Sequence, residues 1–205
     1  IAYGYLLDRS LKKARTNDER PGRVMAGAAI GGAIAVAVFL FWNPYAILDL
    51  PGFLAWSFRE AEIARNAGIV PYTVQYIGAP NFWYELRQTT LWAMGLPLGL
   101  AAWGGVLAAL ILNLRRPHIG QVLLLTWVVA TFLLVGSFDT KFLRYIFPVI
   151  PVAVLFGAWA LMRLVAVARK GRTAHLRRAA LGLAAFVVAA TAFYAVSFET
   201  IYSRP

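Results

Sequence analysis

The stretch TLWAMGLPLGLAAWGGVLAALILNL (Thr90–Leu114) decides the fold class, because it contains no charged side chain from end to end. About 20 consecutive, mostly apolar residues are needed for a helix to cross the hydrocarbon core of a bilayer. Four further blocks are long and apolar, with Arg163 near the end of one as their single charged side chain: Val24–Trp42, Gln121–Phe138, Tyr145–Val167 and Ala179–Phe198. The sequence therefore predicts an all-α, polytopic bundle of transmembrane helices.

Composition agrees with a membrane protein and excludes other classes. Hydrophobic residues make up 60% of the chain, against about 45–50% in soluble domains. The net charge of +11 does not indicate nucleic-acid binding, because the basic residues fall in short connections between apolar blocks. The chain has no cysteine, and its two histidines, His118 and His175, lie in connections. We therefore predict no metal, haem or other cofactor within it.

The basic connections predict an orientation. Three of them lie two helices apart, so all can face the same side: residues 8–23, 115–118 and 169–178. Excess Lys and Arg mark the cytoplasmic side of a membrane. The connections at residues 43–89 and 139–144 then lie outside. We predict a multi-pass protein of the bacterial plasma (inner) membrane, with its basic loops in the cytoplasm.

The two ends of the chain are interpreted as parts of neighbouring elements. Residues 1–23 are predicted to be the end of a preceding helix followed by a basic cytoplasmic loop. Residues 199–205 are predicted to begin an external segment. We expect further protein on both sides.

The external loop at residues 43–89 is too long for a simple turn. Asp49 and Pro51 are typical of a helix start, and the apolar and charged residues after them predict an interfacial helix near Gly52–Asn66. An aromatic, polar stretch follows, with three candidate substrate-binding residues: Tyr72, Gln75 and Tyr76. Two interpretations stay open here, an aromatic belt at the membrane surface and a loop that lines a substrate site.

A second candidate site begins at Asp139 and contains Lys141, Arg144 and Tyr145. If a helix starts near Asp139, Lys141 and Arg144 share one face. Two cations at the outer end of a helix suit a phosphate, and Arg offers a bidentate contact. The alternative is that both side chains only anchor the helix at the interface.

Small residues and prolines inside the apolar blocks predict the packing. The pairs Gly27/Gly31 and Gly95/Gly99 have the spacing that allows helices to approach closely. Prolines inside the blocks should kink or break their helices, namely Pro97, Pro148 and Pro151.

Two of these stretches resemble a known family. PYTVQYIGAPNFWYELRQTTLWAMGLPLGL (Pro71–Leu100) and FDTKFLRYIFPVIPVAVLFGAW (Phe138–Trp159) are similar to prokaryotic GT-C glycosyltransferases. The resemblance is to the family 39 group of protein O-mannosyltransferases and aminoarabinose transferases. NPYAILDLPGF (Asn43–Phe53) and the terminal ETIYSRP fit the same pattern.

The resemblance implies a transferase that moves a sugar from a polyprenyl-phosphate carrier to an acceptor on the extracytoplasmic side. In that family the catalytic acids usually lie in the first external loop, which would precede Ile1, so no catalytic residue is assigned. Arg144, helped by Lys141, is the candidate for the lipid phosphate. The alternative is a non-catalytic transmembrane subunit that keeps the fold. The expected partners are membrane lipids, the polyprenyl-phosphate sugar and other membrane subunits, with no nucleic acid.

Cysteine labelling tests the orientation. Cysteines placed at Arg116 and Arg172 should resist a membrane-impermeant thiol reagent in intact cells, because both positions lie in basic, cytoplasmic loops. A cysteine at Gln75 should react and serves as the control. Labelling at either basic position contradicts the topology.

Overall fold

The computed structural model describes residues 21–170 and 174–203, and it is helical throughout, with no strand among those residues. The all-α prediction is confirmed. The helices are α1 Pro21–Trp42, α2 Tyr45–Leu48, α3 Leu50–Arg65, α4 Trp83–Gln88, α5 Leu96–Arg115, α6 Ile119–Gly136, α7 Leu143–Ile146, α8 Ile150–Lys170 and α9 Ala174–Tyr202. Three short turns complete the path: 3₁₀ turns at Pro71–Tyr76 and Phe147–Val149, and a π-helical turn at Thr89–Ala93.

Five helical segments are long and apolar enough to cross a membrane: Met25–Trp42, Leu96–Arg115, Ile119–Gly136, Leu143–Arg169 and Ala174–Ile201. Each overlaps one of the apolar blocks in the sequence. A multi-pass membrane protein follows from these segments, whereas the orientation of the loops stays a prediction. Most of the predicted first element, residues 1–23, lies outside the described residues, as does Arg172.

The chain divides into two units, of which the first contains α1, α2, α3 and residues 138–140. Helix α3 begins as the sequence predicts, because the Asp49 carboxylate accepts a hydrogen bond from the Gly52 N–H at 3.1 Å. Near its C-terminal end, the Ile63 carbonyl accepts a hydrogen bond from the Thr140 hydroxyl at 2.6 Å. That α3 lies in the membrane interface stays a prediction.

The second unit is organised by close packing of α5 against α8. Ala102 and Ala109 on α5 and Ala153 on α8 are completely buried. A Cβ atom added to Gly105 would lie 2.6 Å from the backbone nitrogen of Gly157, and one added to Gly157 would lie 2.9 Å from the Ala102 Cα. Because these side chains are so small, the two helix backbones are in direct contact, as is common between transmembrane helices.

A polar turn joins α5 to α6. The buried Asn113 side chain donates to the Gln121 side chain at 2.8 Å and accepts from the His118 N–H at 2.8 Å. One amide therefore connects both helices at the basic end of the hairpin, where the chain leaves the apolar segment.

The predicted helix breaks are found beside the prolines, which lie at the start of a helix or in a turn between helices. Gly95 has a φ of 75° and stands before α5, so the helix break falls there and Pro97 lies in the first turn of the new helix. Pro148 lies in a 3₁₀ turn, and Pro151 is the second residue of α8. The fourth apolar block is thus a short helix, a turn and a long helix.

The glycine predictions had different outcomes. A Cβ atom on Gly27 or Gly31 would meet nothing within 4 Å, so the close contact predicted there is not found among the described residues. Gly95 does lie in a tight contact, because a Cβ atom would come within 3.1 Å of the Tyr194 ring. The closest helix contact uses Gly105 and Gly157, which the spacing argument had not selected.

Two neighbouring glycines provide a test of the α5–α8 contact. Gly105→Leu should lower the free energy of unfolding by about 1–3 kcal/mol or more, because the new side chain must displace the α8 backbone. Gly104→Leu is the matched control, since a Cβ atom there meets nothing within 4 Å. Both are measured by thermal unfolding in the same detergent. Equal stability of the two variants contradicts the described contact.

Candidate functional site

Lys141 is a buried cation of the second unit with several polar contacts. It is buried, and its Nζ donates to the Asn81 side-chain oxygen at 2.7 Å and to the Gly136 carbonyl at 3.1 Å. The same atom lies 3.2 Å from Oε1 of Glu85. Three acceptors thus surround an ammonium group that has three donors. We call this set, Asn81, Glu85, Gly136 and Lys141, the Lys141 clamp.

Glu85 is the weakly satisfied member of the clamp. Its side chain is 3% exposed, and neither carboxylate oxygen accepts a hydrogen bond from a described residue. Lys141 Nζ, at 3.2 Å from Glu85 Oε1, therefore forms an ion pair with the carboxylate, but the two groups are not aligned for a hydrogen bond. A buried charge of this kind is held mainly by its counter-charge, so the pair depends strongly on both partners.

A sharp turn before α4 brings Asn81 and Glu85 to the end of α6. Phe82 has a φ of 62°, a left-handed conformation that is uncommon for a bulky residue. Its N–H donates to the Gly136 carbonyl at 3.3 Å. Its ring lies so close to Gly136 that a Cβ atom there would collide with it. Glycine at position 136 therefore allows the turn and the clamp to form together.

The predicted helix through Asp139 and Lys141 is wrong. Residues 138–142 are not helical, and α7 begins at Leu143 with Phe142 as its N-cap. Lys141 is buried whereas Arg144 is exposed, so the two cations do not share a helix face. Lys141 reaches an anionic ligand only if its contacts with Glu85, Asn81 and Gly136 are first broken. These contacts argue against a direct contact between Lys141 and a phosphate, and its role as a phosphate ligand stays a prediction.

Arg144 is placed differently. Its guanidinium carbon lies 4.6 Å from the centre of the Phe142 ring and 5.2 Å from that of Tyr145. One guanidinium nitrogen lies 3.5 Å from the Tyr145 hydroxyl. The aromatic rings restrict the side chain to few orientations and still leave it exposed. Tyr145 therefore positions Arg144 directly, and both predicted residues belong to one cluster.

A large apolar groove lies in the same unit between α4, α5 and α6. Its volume is about 790 Å³, within the range of small-molecule sites. The lining includes Leu100 and Leu107 of α5, and Val129 and Phe132 of α6. Arg87 of α4 is the one charged residue in the lining. Such a groove suits a hydrocarbon chain with an anionic group at one point.

The other three predicted residues occupy the 3₁₀ turn of the first unit. Tyr72 and Gln75 are exposed, and the Gln75 amide donates to the Tyr72 carbonyl at 3.0 Å. Tyr76 is half-buried. The structure brings these residues together with one another in the first unit, whereas Arg144 belongs to the second.

Glu85, Asn81 and Arg87 were not predicted as functional residues. One signal was present for Glu85, because it is the only acid between Glu62 and Asp139 and it lies shortly before the apolar block that begins at Thr90. An ionisable residue beside a membrane segment usually has a partner. Arg87 is equally close to that block, but the chain has many basic residues, so its position alone does not single it out.

Chemistry that needs a metal finds no ready ligand set, because the described residues contain no group of three or more His, Cys, Asp or Glu side chains that could hold an ion. Comparison with known proteins gives no matching family model, no matching curated protein and no matching solved structure. The glycosyltransferase resemblance accordingly stays a prediction.

Charge removal tests the Lys141 clamp. Lys141→Met should lower the free energy of unfolding by about 3–5 kcal/mol, because it leaves the Glu85 carboxylate buried without a counter-charge. Adding Glu85→Gln to the same chain should restore a substantial part of the loss, and the double variant is the matched control. Thermal unfolding in detergent measures both. A single variant as stable as the wild type contradicts a buried, charged pair.

Proposed function

We propose that this chain is the lipid-phosphate-binding membrane part of a GT-C-type glycosyltransferase. It would bind a polyprenyl-phosphate sugar, with mannosyl or aminoarabinosyl donors as the classes that the resemblance implies. The sugar would pass to an acceptor on the extracytoplasmic side. One observation carries the proposal: a single unit contains both an exposed, aromatic-held guanidinium at Arg144 and an apolar groove with a cation at its wall.

Arg144 is the better phosphate ligand of the two predicted cations. Lys141 already has three acceptors, so binding a phosphate would require breaking a buried ion pair. The Arg144 guanidinium is exposed and presents planar donors that match two phosphate oxygens. In this proposal Lys141 positions the segment before α7, and Arg144 contacts the ligand.

The groove supports a lipid rather than a water-soluble donor. Apart from Arg87, Thr90 and Gly104, its lining consists of Leu, Val, Phe and Trp side chains. A polyprenyl chain is hydrocarbon throughout, so its burial there removes no polar group from water.

The chemistry assigned to these residues is binding and charge stabilisation. In glycosyl transfer the acceptor hydroxyl gives its proton to a catalytic carboxylate, which the resemblance implies would precede Ile1. The acceptor oxygen forms a bond to the anomeric carbon as the bond from that carbon to the phosphate oxygen breaks. The polyprenyl phosphate leaves with the electron pair and gains negative charge. A guanidinium held against it stabilises that charge as it develops. Glu85 is closed off by Lys141, so we assign it no part in proton transfer.

Binding of polyprenyl phosphate tests the proposal. Arg144→Ala should weaken the Kd for a long-chain polyprenyl phosphate by about tenfold or more, since a charged hydrogen bond contributes about 1.5–3 kcal/mol. Arg144→Lys should recover only part, because Lys lacks the bidentate fork. Arg163→Ala is the matched control, as Arg163 also lies over an aromatic ring, that of Trp159, at 5.5 Å.

Ligands with hydrocarbon chains of different length distinguish binding in the groove from binding of the phosphate. Gly104→Leu places a larger side chain in the groove lining. It should weaken binding of the long-chain polyprenyl phosphate more than binding of farnesyl phosphate. If Arg144→Ala binds both ligands and supports sugar transfer like the wild type, the phosphate role is wrong. The non-catalytic subunit would then be the better interpretation.

A further inference from the structure

A second apolar cleft lies between α8 and α9, near the end of α8 that carries the basic loop. Its volume is about 660 Å³. Its walls are formed by small and aliphatic residues of both helices, including Ala158, Leu161, Val165, Ala184 and Val188. Among the described residues of this lining, Arg169 is the one that is charged, and it is exposed.

The sequence from α8 into α9 carries charge of one sign only. The sequence has no Asp or Glu between Thr140 and Phe198, whereas Arg163, Arg169, Lys170, Arg172, Arg177 and Arg178 all fall in that range. Arg177 and Arg178 lie in the first turns of α9, and both are exposed. Within the described residues no acid of α8 or α9 neutralises Arg169, because the one acid on these helices, Glu199, lies in the last turn of α9.

We propose that this cleft binds one anionic glycerophospholipid, with an acyl chain between α8 and α9 and the headgroup phosphate on Arg169. The occupant follows from the combination of features. An apolar cleft alone accepts a hydrocarbon chain or another helix, and the apolar surface of either supplies no anion for Arg169. A phospholipid supplies the chain and the negative charge together, as in other basic pockets between membrane helices.

The proposal is independent of the proposed function. It uses α8 and α9, whereas the groove proposed for polyprenyl phosphate is formed by α4, α5 and α6. It also differs from general attraction of basic loops to a membrane, which requires no cleft and retains no lipid in detergent. A bound lipid here would fill the space between α8 and α9.

Native mass spectrometry of the full chain in detergent tests the site. Phosphatidylglycerol and phosphatidylcholine with identical acyl chains are added at equal concentration. We expect one retained phosphatidylglycerol per chain, at least about fivefold in excess over phosphatidylcholine. Arg169→Gln should remove this preference. Arg65→Gln, which changes an exposed arginine of α3, is the matched control and should keep it.

A second variant tests the cleft itself. Ala184→Phe fills the space between the helices and should reduce retention of both lipids, whereas Arg169→Gln should affect only the anionic one. Circular dichroism checks that each variant is folded. If Ala184→Phe is not folded, the lipid preference of Arg169→Gln, a substitution at an exposed position, decides the test by itself. Equal retention of the two lipids by the wild type overturns the proposal. A dimer that Ala184→Phe dissociates also overturns it, because the cleft would then be a protein interface.

Discussion

The direct contact between the backbones of α5 and α8 is the constraint on which the second unit depends. In a membrane the hydrophobic effect does not drive one helix onto another, so association relies on packing and interhelical hydrogen bonds. Gly105 and Gly157 provide that packing by leaving no side chain between the helices. Because α5 is fixed in this way, its opposite side is available to form the groove with α6. Because α8 is fixed, the cleft with α9 has a rigid wall.

The Lys141 clamp performs the complementary task at the ends of the helices. It connects the turn before α4, the C-terminus of α6 and the segment before α7 through one ammonium group. Buried ion pairs add little net stability, but they penalise arrangements that separate the charges. The clamp therefore fixes where α7 begins, and with it the position of Arg144. Arg144, the proposed ligand of the phosphate, is exposed, whereas Lys141, which precedes it in the sequence, is buried.

The described structure also explains which local predictions were correct. The start of α3 was predictable because capping involves residues three positions apart, and Asp49 and Gly52 satisfy it locally. The helix through Asp139 was not, because the chain there follows contacts made elsewhere. Thr140 donates to Ile63, and Lys141 pairs with Glu85. Those distant contacts hold the segment in a non-helical conformation, and they prevail over its weak local preference for a helix.

The sequence by itself determined the helical class and the approximate position of five apolar helices. Runs of uncharged residues long enough to cross a bilayer are a local property, and helices satisfy their own backbone groups. Only the tertiary structure decided which cation is buried and which is exposed. Asn81 lies 60 residues from Lys141 along the chain, and no periodicity encodes such a partner. The same holds for Gly105 and Gly157, since spacing within a helix identifies small residues but not the neighbour that they meet.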